Sequence, residues 1–328
     1  MLPWAQAAGR KRRTFLLRDP VGIRLNRPEG TSNDRAAEPL RTSTTRRRVG
    51  QVREGVVRVR EDALAVEEPL ELRLCLRGDQ SPLQVAVTMR TPGHDFELAA
   101  GFLFTEGIVQ TAEQIDRINY CADRSLDSEQ RYNIVNVFLR PGVRIDQERL
   151  RRNFYTTSSC GVCGKASIEA IQVRGISPVL DDGFVVDGEV LGGLAEALRG
   201  AQAIFDKTGG LHAAALFEER GRLVSIREDV GRHNAVDKLI GHAFLNHRPP
   251  LSRHLMMVSG RASFEITQKA AAAGLPVVAA ISAPSSLACD VARAFGMTLV
   301  GFMRGDRFTV YTGAQRIRHR GQTVTGVD

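Results

Sequence analysis

An α/β fold is the expectation for this chain of 328 residues: a three-layer α/β/α domain on a mixed, largely parallel sheet, preceded by a smaller strand-rich α+β domain. Two observations predict it, and a third sets the N-terminal segment apart. After Asp181-Asp182-Gly183, apolar runs of strand length alternate with stretches of helical period. Between residues 51 and 150 short strand-like runs dominate, with one strong helical pattern among them. The residues from 51 onward hold 33 basic and 33 acidic side chains, so the whole-chain charge of +8 belongs to residues 1–50.

Residues 1–50 are rich in Arg, Pro, Thr and Ser and show little apolar periodicity, and they read as a disordered basic tail. Because the body is formally neutral, the net charge gives no case for a nucleic-acid partner. Arg12-Arg13-Thr14-Phe15-Leu16-Leu17 resembles the start of a twin-arginine export signal, but Arg18-Asp19-Pro20 follows where an apolar stretch is required. No run approaches the roughly 20 apolar residues of a membrane span. The expectation is a cytoplasmic protein with no membrane partner.

In residues 51–150, strands are expected at Val56-Val57-Arg58-Val59, from Leu70 to Leu74 and from Leu83 to Val87, with a turn at Gly78-Asp79. A helix from Asp95 to Phe104 places Phe96, Ala99, Ala100 and Leu103 on one face and stops at Gly107. Another strand runs from Ile134 to Leu139. Residues 151–180 carry a cysteine loop followed by a helical pattern from Ala166 to Val173.

In residues 181–328 the order is a helix from Leu191 to Phe205, strands from His212 to Phe217 and from Leu223 to Arg227, then a helix from Asn234 to Leu245. Strands from His254, Pro276 and Met297 then alternate with helices from Ser263 and Ser285, and Phe308 to Tyr311 closes an edge hairpin. In such sheets the loops after the strand C-termini meet at one edge and bind ligands there. Here they read Ser259-Gly260-Arg261, Ser282-Ala283-Pro284-Ser285, and Gly301-Phe302-Met303-Arg304-Gly305-Asp306-Arg307. Glycine admits a close backbone, helix N-termini and arginine attract phosphate, and serine donates hydrogen bonds, so a phosphate-bearing ligand, a nucleotide, is expected. Each loop alone has an ordinary turn-and-cap explanation; three at one edge carry the functional one.

The most telling residues are Ser158-Ser159-Cys160-Gly161-Val162-Cys163-Gly164-Lys165. A helix N-terminus with Lys165 nearby favours a thiolate, and the glycines leave both sulfurs accessible, which suits a nucleophilic sulfur site. Zinc remains an alternative, but there is no second pair at ligand spacing, and the nearest histidines are His94 and His212. The deaminase signature His-x-Glu with Pro-Cys-x-x-Cys is absent, and no metal site is expected. A thioredoxin-type pair, the other alternative, would sit near the start of a small βαβ domain. Cys75, Cys121 and Cys289 read as small core residues. His233 and Asp229 fit acid/base and capping roles equally; His212 and Asp95 are read as structural, and Lys165 as solvated.

Several separated blocks together resemble the formate dehydrogenase accessory sulfurtransferases, the FdhD/NarQ family. They are Thr91-Pro92-Gly93-His94-Asp95-Phe96-Glu97, Ser159-Cys160-Gly161-Val162-Cys163-Gly164-Lys165 and Thr208-Gly209-Gly210-Leu211-His212. Further blocks are Arg227-Glu228-Asp229-Val230-Gly231-Arg232-His233-Asn234, Ser259-Gly260-Arg261-Ala262-Ser263-Phe264-Glu265, Ser282-Ala283-Pro284-Ser285 and Gly301-Phe302-Met303-Arg304. The resemblance implies a cytidine deaminase-like C-terminal domain without the deaminase zinc. It implies a sulfur carrier whose Cys160 takes a persulfide from a cysteine desulfurase, with Cys163 assisting. The sulfur would pass to the molybdenum of a bis(molybdopterin guanine dinucleotide) cofactor before insertion into the formate dehydrogenase apoprotein. The family's cofactor segment falls on Gly301 to Arg307, and a homodimer is consistent with the resemblance. The rival readings are a chaperone that binds the cofactor without moving sulfur and a zinc-stabilised nucleotide enzyme.

Overall fold

The computed structural model describes residues 24–26, 42–76, 81–145, 176–179, 183–246 and 249–325. Its first half contains β1 (Arg24–Asn26), β2 (Thr44–Arg53), β3 (Val56–Ala65), β4 (Glu68–Cys75), β5 (Leu83–Arg90), α1 (Asp95–Thr105), β6 (Ile115–Tyr120), α2 (Ser128–Tyr132) and β7 (Ile134–Leu139). Strands β2 and β3 form a separate ribbon, and the others make a five-stranded sheet of order β1-β6-β7-β4-β5. The pleat sends Leu70, Leu72 and Leu74 of β4 into a core with Val85, Ile118, Val135 and Val137 under Leu98, Ala99 and Leu103 of α1. Between them, Glu71 and Arg73 pair at 2.7 Å on the opposite, half-buried face.

The second half contains β8 (Val186–Asp187), α3 (Gly188–Ala201), α4 (Phe205–Thr208), β9 (His212–Glu218), β10 (Leu223–Asp229), α5 (Arg232–Leu245), β11 (His254–Val258) and α6 (Phe264–Ala272). It continues with β12 (Val277–Ala280), α7 (Ser286–Ala294), β13 (Thr298–Arg304), β14 (Arg307–Thr312), β15 (Ile317–His319) and β16 (Gln322–Thr323). The central sheet has the order β10-β9-β11-β12-β13-β14. Residues alternate between its two buried faces. Ala214, Leu216, Met256, Val258, Val278, Ala280 and Leu299 pack on α5, α6 and α7. Ala213, Ala215, Phe217, Leu255, Met257, Val277, Ala279 and Val300 pack on α3 and on the small sheet β16-β15-β8. This is the three-layer α/β/α arrangement expected.

Two expectations need correction. The sheet is less parallel than anticipated: only β11/β12 and β12/β13 run parallel, because a hairpin flanks them on each side. The tail assigned to residues 1–50 contains β1, which lies parallel to β6, and most of β2.

The two halves meet where α1 crosses α5. A Cβ on Gly101 would overlap the Asp237 carbonyl, and one on Gly241 would overlap the Glu97 carbonyl, so the two backbones touch. Charged groups fill the rest of the junction. Lys269 Nζ, 6 % exposed, lies 2.9 Å from Asp237 and 3.3 Å from Glu106. Burial opposes its charge, but these two carboxylates raise its pKa above the ordinary lysine value. Arg227 and His242 both donate to Glu97 on α1, and His94 pairs with the same carboxylate. Burial works against the Glu97 charge, yet these donors hold it well below the usual carboxylate range. Phe104 stacks on Phe244 at 4.7 Å.

Candidate functional site

At the C-terminal edge of β11, β12 and β13, main-chain bonds tie the three loops together. Ile281 N donates to Val258 O (3.1 Å), Ser282 N to Gly260 O (3.3 Å), Ser285 N to Ala262 O (3.0 Å) and Phe302 N to Ser282 O (3.3 Å). Gly301 sits tightly at this meeting point: a Cβ there would come within 3.0 Å of Pro284 and 3.1 Å of both Ser282 O and Tyr311, so its neighbours would have to give way. Phe302 follows with φ 54°, a left-handed conformation costly for a non-glycine residue, and it is 44 % exposed. Strained backbone with an exposed aromatic side chain at the edge where sheets of this kind take ligands suits a binding element.

The expected ligand residues divide. Phe302, Arg304, Asp306 and Arg307 line a cleft of about 770 Å³ with Phe308 and His319. Gly305, at φ 58°, makes the turn between β13 and β14. Met303 is buried in the core on the α3 side. Ser259 lines a different cavity of about 500 Å³, with His212, Gln202, Phe205, Arg199, Gly209 and Gly210 among its walls. The Ser259 hydroxyl accepts from Ala213 N at 2.8 Å, which leaves its proton to donate. Ser285 caps α7 by accepting from Ala288 N at 3.2 Å, while Ser263 begins α6 with no side-chain cap. Arg261 is exposed and Ser282 half-buried.

A polar cluster adjoins this edge. The His212 ring lies against Gly260, where a Cβ would be 3.5 Å from Nδ1. Burial lowers the His212 pKa, and the neighbouring Arg232 and His233 push it the same way, which favours the neutral imidazole. His233 Nε2 is 2.9 Å from Glu265 and 3.4 Å from Ser263 Oγ. The hydrogen bond from His233 holds the Glu265 carboxyl below its ordinary range. Asp229 is fully buried and accepts from Thr91 N, Gly231 N and Asn234 Nδ2, with Lys238 Nζ at 2.6 Å. With every lone pair engaged, Asp229 is a buried organising group, whereas His233 lines a cavity. Asp95 is likewise taken up by Arg90, which grips both its oxygens at 3.1 and 2.9 Å.

Cys160, Cys163 and Lys165 lie outside the described residues. Of the other cysteines, Cys75 has its thiol pushed up to about 11 by burial, against the pull of Arg117 and Arg73. Burial also raises the Cys289 thiol, and Cys121 is buried. Thiols held protonated in this way are poor nucleophiles. Among the described residues no group of three or more His, Cys, Asp or Glu is placed to hold a metal, and no helix is long and apolar enough to cross a membrane. Gln202, Phe205 and Arg199 were not anticipated. They come from the end of α3 and the start of α4, where the sequence carries no motif, and only the fold brings them to His212.

Comparison with known proteins places these features in context. The sequence pattern of the FdhD/NarQ family matches residues 65–318. A Streptomyces coelicolor protein named sulfur carrier protein FdhD is 54 % identical over 284 residues, covering 86 % of this chain and 99 % of that one. Proteins of the same name from Mycobacterium tuberculosis (50 % over 279 residues; 84 % of this chain, 99 % of that one) and Anaeromyxobacter dehalogenans (45 % over 300 residues; 88 % and 98 %) are also similar. The fold resembles a crystal structure from Desulfotalea psychrophila described as "a putative formate dehydrogenase accessory protein", with TM-score 0.63, 24 % identity, and coverage of 84 % of this chain and 100 % of that one.

Proposed function

The chain belongs to the FdhD/NarQ family, and on that premise we propose that it is a sulfur carrier in which Cys160 bears the sulfur. The observation that carries this reading is the position of Cys160-Gly161-Val162-Cys163 inside the span shared with relatives named as sulfur carriers. The raised thiols of Cys75 and Cys289 support it by making those residues unsuitable.

In the first step the Cys160 thiolate attacks the terminal sulfur of a cysteine desulfurase persulfide. A new S–S bond forms at Cys160, and the donor's S–S bond breaks to release its thiolate. In the second, the Cys163 thiolate attacks Cys160 Sγ and expels hydrosulfide. The two cysteines lose two electrons as they close a disulfide, and the carried sulfur gains them in falling to the sulfide level. The acceptor is the molybdenum of a bis(molybdopterin guanine dinucleotide) cofactor bound for the formate dehydrogenase apoprotein, and a dithiol reductant reopens the pair.

The cofactor's phosphates would find Arg304 and Arg307 in the cleft, with Arg261 and the N-termini of α6 and α7 along the same edge. Gly260, Ser282 and Gly301 allow close approach there. Glycine at 301 also eases tight packing against Pro284, Ser282 and Tyr311, and Met303 would support the hairpin from the core.

The test is complementation. In cells lacking this chain, the wild type should restore formate dehydrogenase activity and Cys160→Ala should not, although the variant accumulates as folded protein. Full restoration by Cys160→Ala would leave a cofactor-binding chaperone as the better account.

A further inference from the structure

The β2–β3 ribbon has no role in the chemistry above, and its construction is unusual. Each strand has 10 residues, so the ribbon extends about 30 Å. Its turn, Glu54 at φ 52° and Gly55 at φ 79°, is the tight two-residue type that matches strand twist. From residue 50 to 61 every side chain is exposed, with Val52, Val57 and Val59 at 65 % or more. Among the described residues no third strand pairs with the ribbon and only α4 approaches β3; a two-stranded ribbon is marginal in water, and exposed strand edges invite pairing with another chain.

The register sorts the ribbon into two faces. Arg47 lies opposite Asp62, Val49 opposite Arg60, Gln51 opposite Arg58 and Arg53 opposite Val56, so one face carries four arginines against one acid. The other face brings Val52, Val57 and Val59 together beyond Arg46 and Arg48. Arg46 and Glu61 pair at 3.5 Å and Arg60 and Asp62 at 3.4 Å, exposed contacts that leave a net positive surface.

Charge bears on what covers it. A second copy laid on the arginine face would oppose arginine to arginine, and one laid on the valine face would leave that arginine face uncompensated. The longer segments of this chain outside the described residues are not acidic: residues 1–23 hold five basic side chains against one acidic, residues 27–41 three against three, and residues 146–175 five against three. DNA or RNA would suit the arginines but not the valines, nor Glu54, Glu61 and Asp62. An acidic, extended protein segment satisfies the arginines, the apolar face and the open strand edges together.

We propose that the β2–β3 ribbon is a docking arm for an acidic, extended segment of a partner protein. Val66 N donates to Ser43 O at 2.9 Å and closes the ribbon, whose base is tied to the body by Ser43 Oγ donating to Pro92 O at 2.8 Å and by Ala65 beside Gly210. Gly210 also lines the cavity that holds His212 and Ser259. A partner held on the ribbon is therefore brought to the candidate site whichever sulfur step it takes part in.

The experiment uses the full chain and a fluorescent 12-residue peptide of alternating Glu and Val, followed by anisotropy at low and moderate salt. The Glu-Val peptide should bind, with affinity falling as salt rises. The combined substitution Arg47→Glu, Arg53→Glu, Arg58→Glu and Arg60→Glu should weaken binding by about tenfold or more. Val52→Ser with Val57→Ser should weaken it without removing charge. These positions are exposed, and unchanged circular dichroism would verify the fold of each variant. Changing Arg10, Lys11, Arg12 and Arg13 to Gln should leave binding intact. Equal binding by the wild type and the ribbon variants, dependence on the 10–13 cluster instead, tighter binding of a 20-base-pair DNA, or a dimer in sedimentation that the ribbon variants dissociate would each overturn the proposal.

Discussion

Alanine at Gly101 should strain the seam between the two halves of the molecule. Its Cβ would occupy the space of the Asp237 carbonyl on α5, and the obstructing atoms are main chain, which cannot rotate aside. Relief requires the helices to part, disturbing the Lys269–Asp237 pair and the Phe104–Phe244 stack beside the crossing. Overpacking of this kind costs about 1–3 kcal/mol, and rigid backbone on both sides points to the upper end. Alanine's better helix propensity returns about 1 kcal/mol, for a net loss of about 2 kcal/mol. At about 2–4 °C per kcal/mol, the melting temperature should fall by about 4–8 °C. Gly193 in α3 provides the control, since it is exposed and a Cβ there meets nothing within 4 Å. Gly193→Ala should keep only the propensity gain and raise the melting temperature. If scanning calorimetry shows Gly101→Ala to be as benign as Gly193→Ala, the close crossing of α1 and α5 is wrong.

Glu97→Gln should cost about 2–3 kcal/mol near pH 7, because Arg227 loses its carboxylate partner in a half-buried setting. The folded-state pKa of Glu97 lies below that of the unfolded chain, so its stabilisation is present above about pH 4.3 and is lost as the pH falls further. Urea titrations of wild type and variant should therefore converge in acid; a constant gap down to pH 3 would contradict this. Phe302→Gly should raise stability by up to about 1 kcal/mol by relieving the left-handed backbone, while weakening GDP binding measured by calorimetry. A loss of stability with unchanged GDP affinity would place Phe302 in the core instead of the site. Cys75→Ala and Cys289→Ala should retain complementing activity, since burial raises both thiols and disfavours their thiolates.

The α/β half was legible because its strands are short apolar runs closed by turn residues. Leu255-Met256-Met257-Val258 and Val277-Val278-Ala279-Ala280 are buried on both faces, so they read as continuous apolar stretches. Strand β2 was missed for the opposite reason: with both faces exposed, Arg46-Arg47-Arg48 has no apolar alternation and reads as tail. Strand β6 was hidden because Ile115 and Ile118, its two fully buried isoleucines, are three residues apart, which breaks the two-residue rhythm of a half-buried strand. The three ligand loops were visible as Gly, Ser and Arg at strand ends. Their division between two cavities was not, since that depends on how β13 bends at Gly301 and where α3 ends. The equal weighing of Asp229 and His233 could be resolved only by counting hydrogen bonds, because Thr91 and Met89, which supply or anchor several of them, lie in the other half of the chain.

Mass spectrometry of the protein after incubation with a cysteine desulfurase and cysteine tests the sulfur-carrier reading most directly. One added sulfur, about 32 Da, should appear on the peptide containing Cys160, be lost on treatment with a dithiol, and be absent from Cys160→Ser. No added mass on the wild type, or the same added mass on Cys160→Ser, would contradict it.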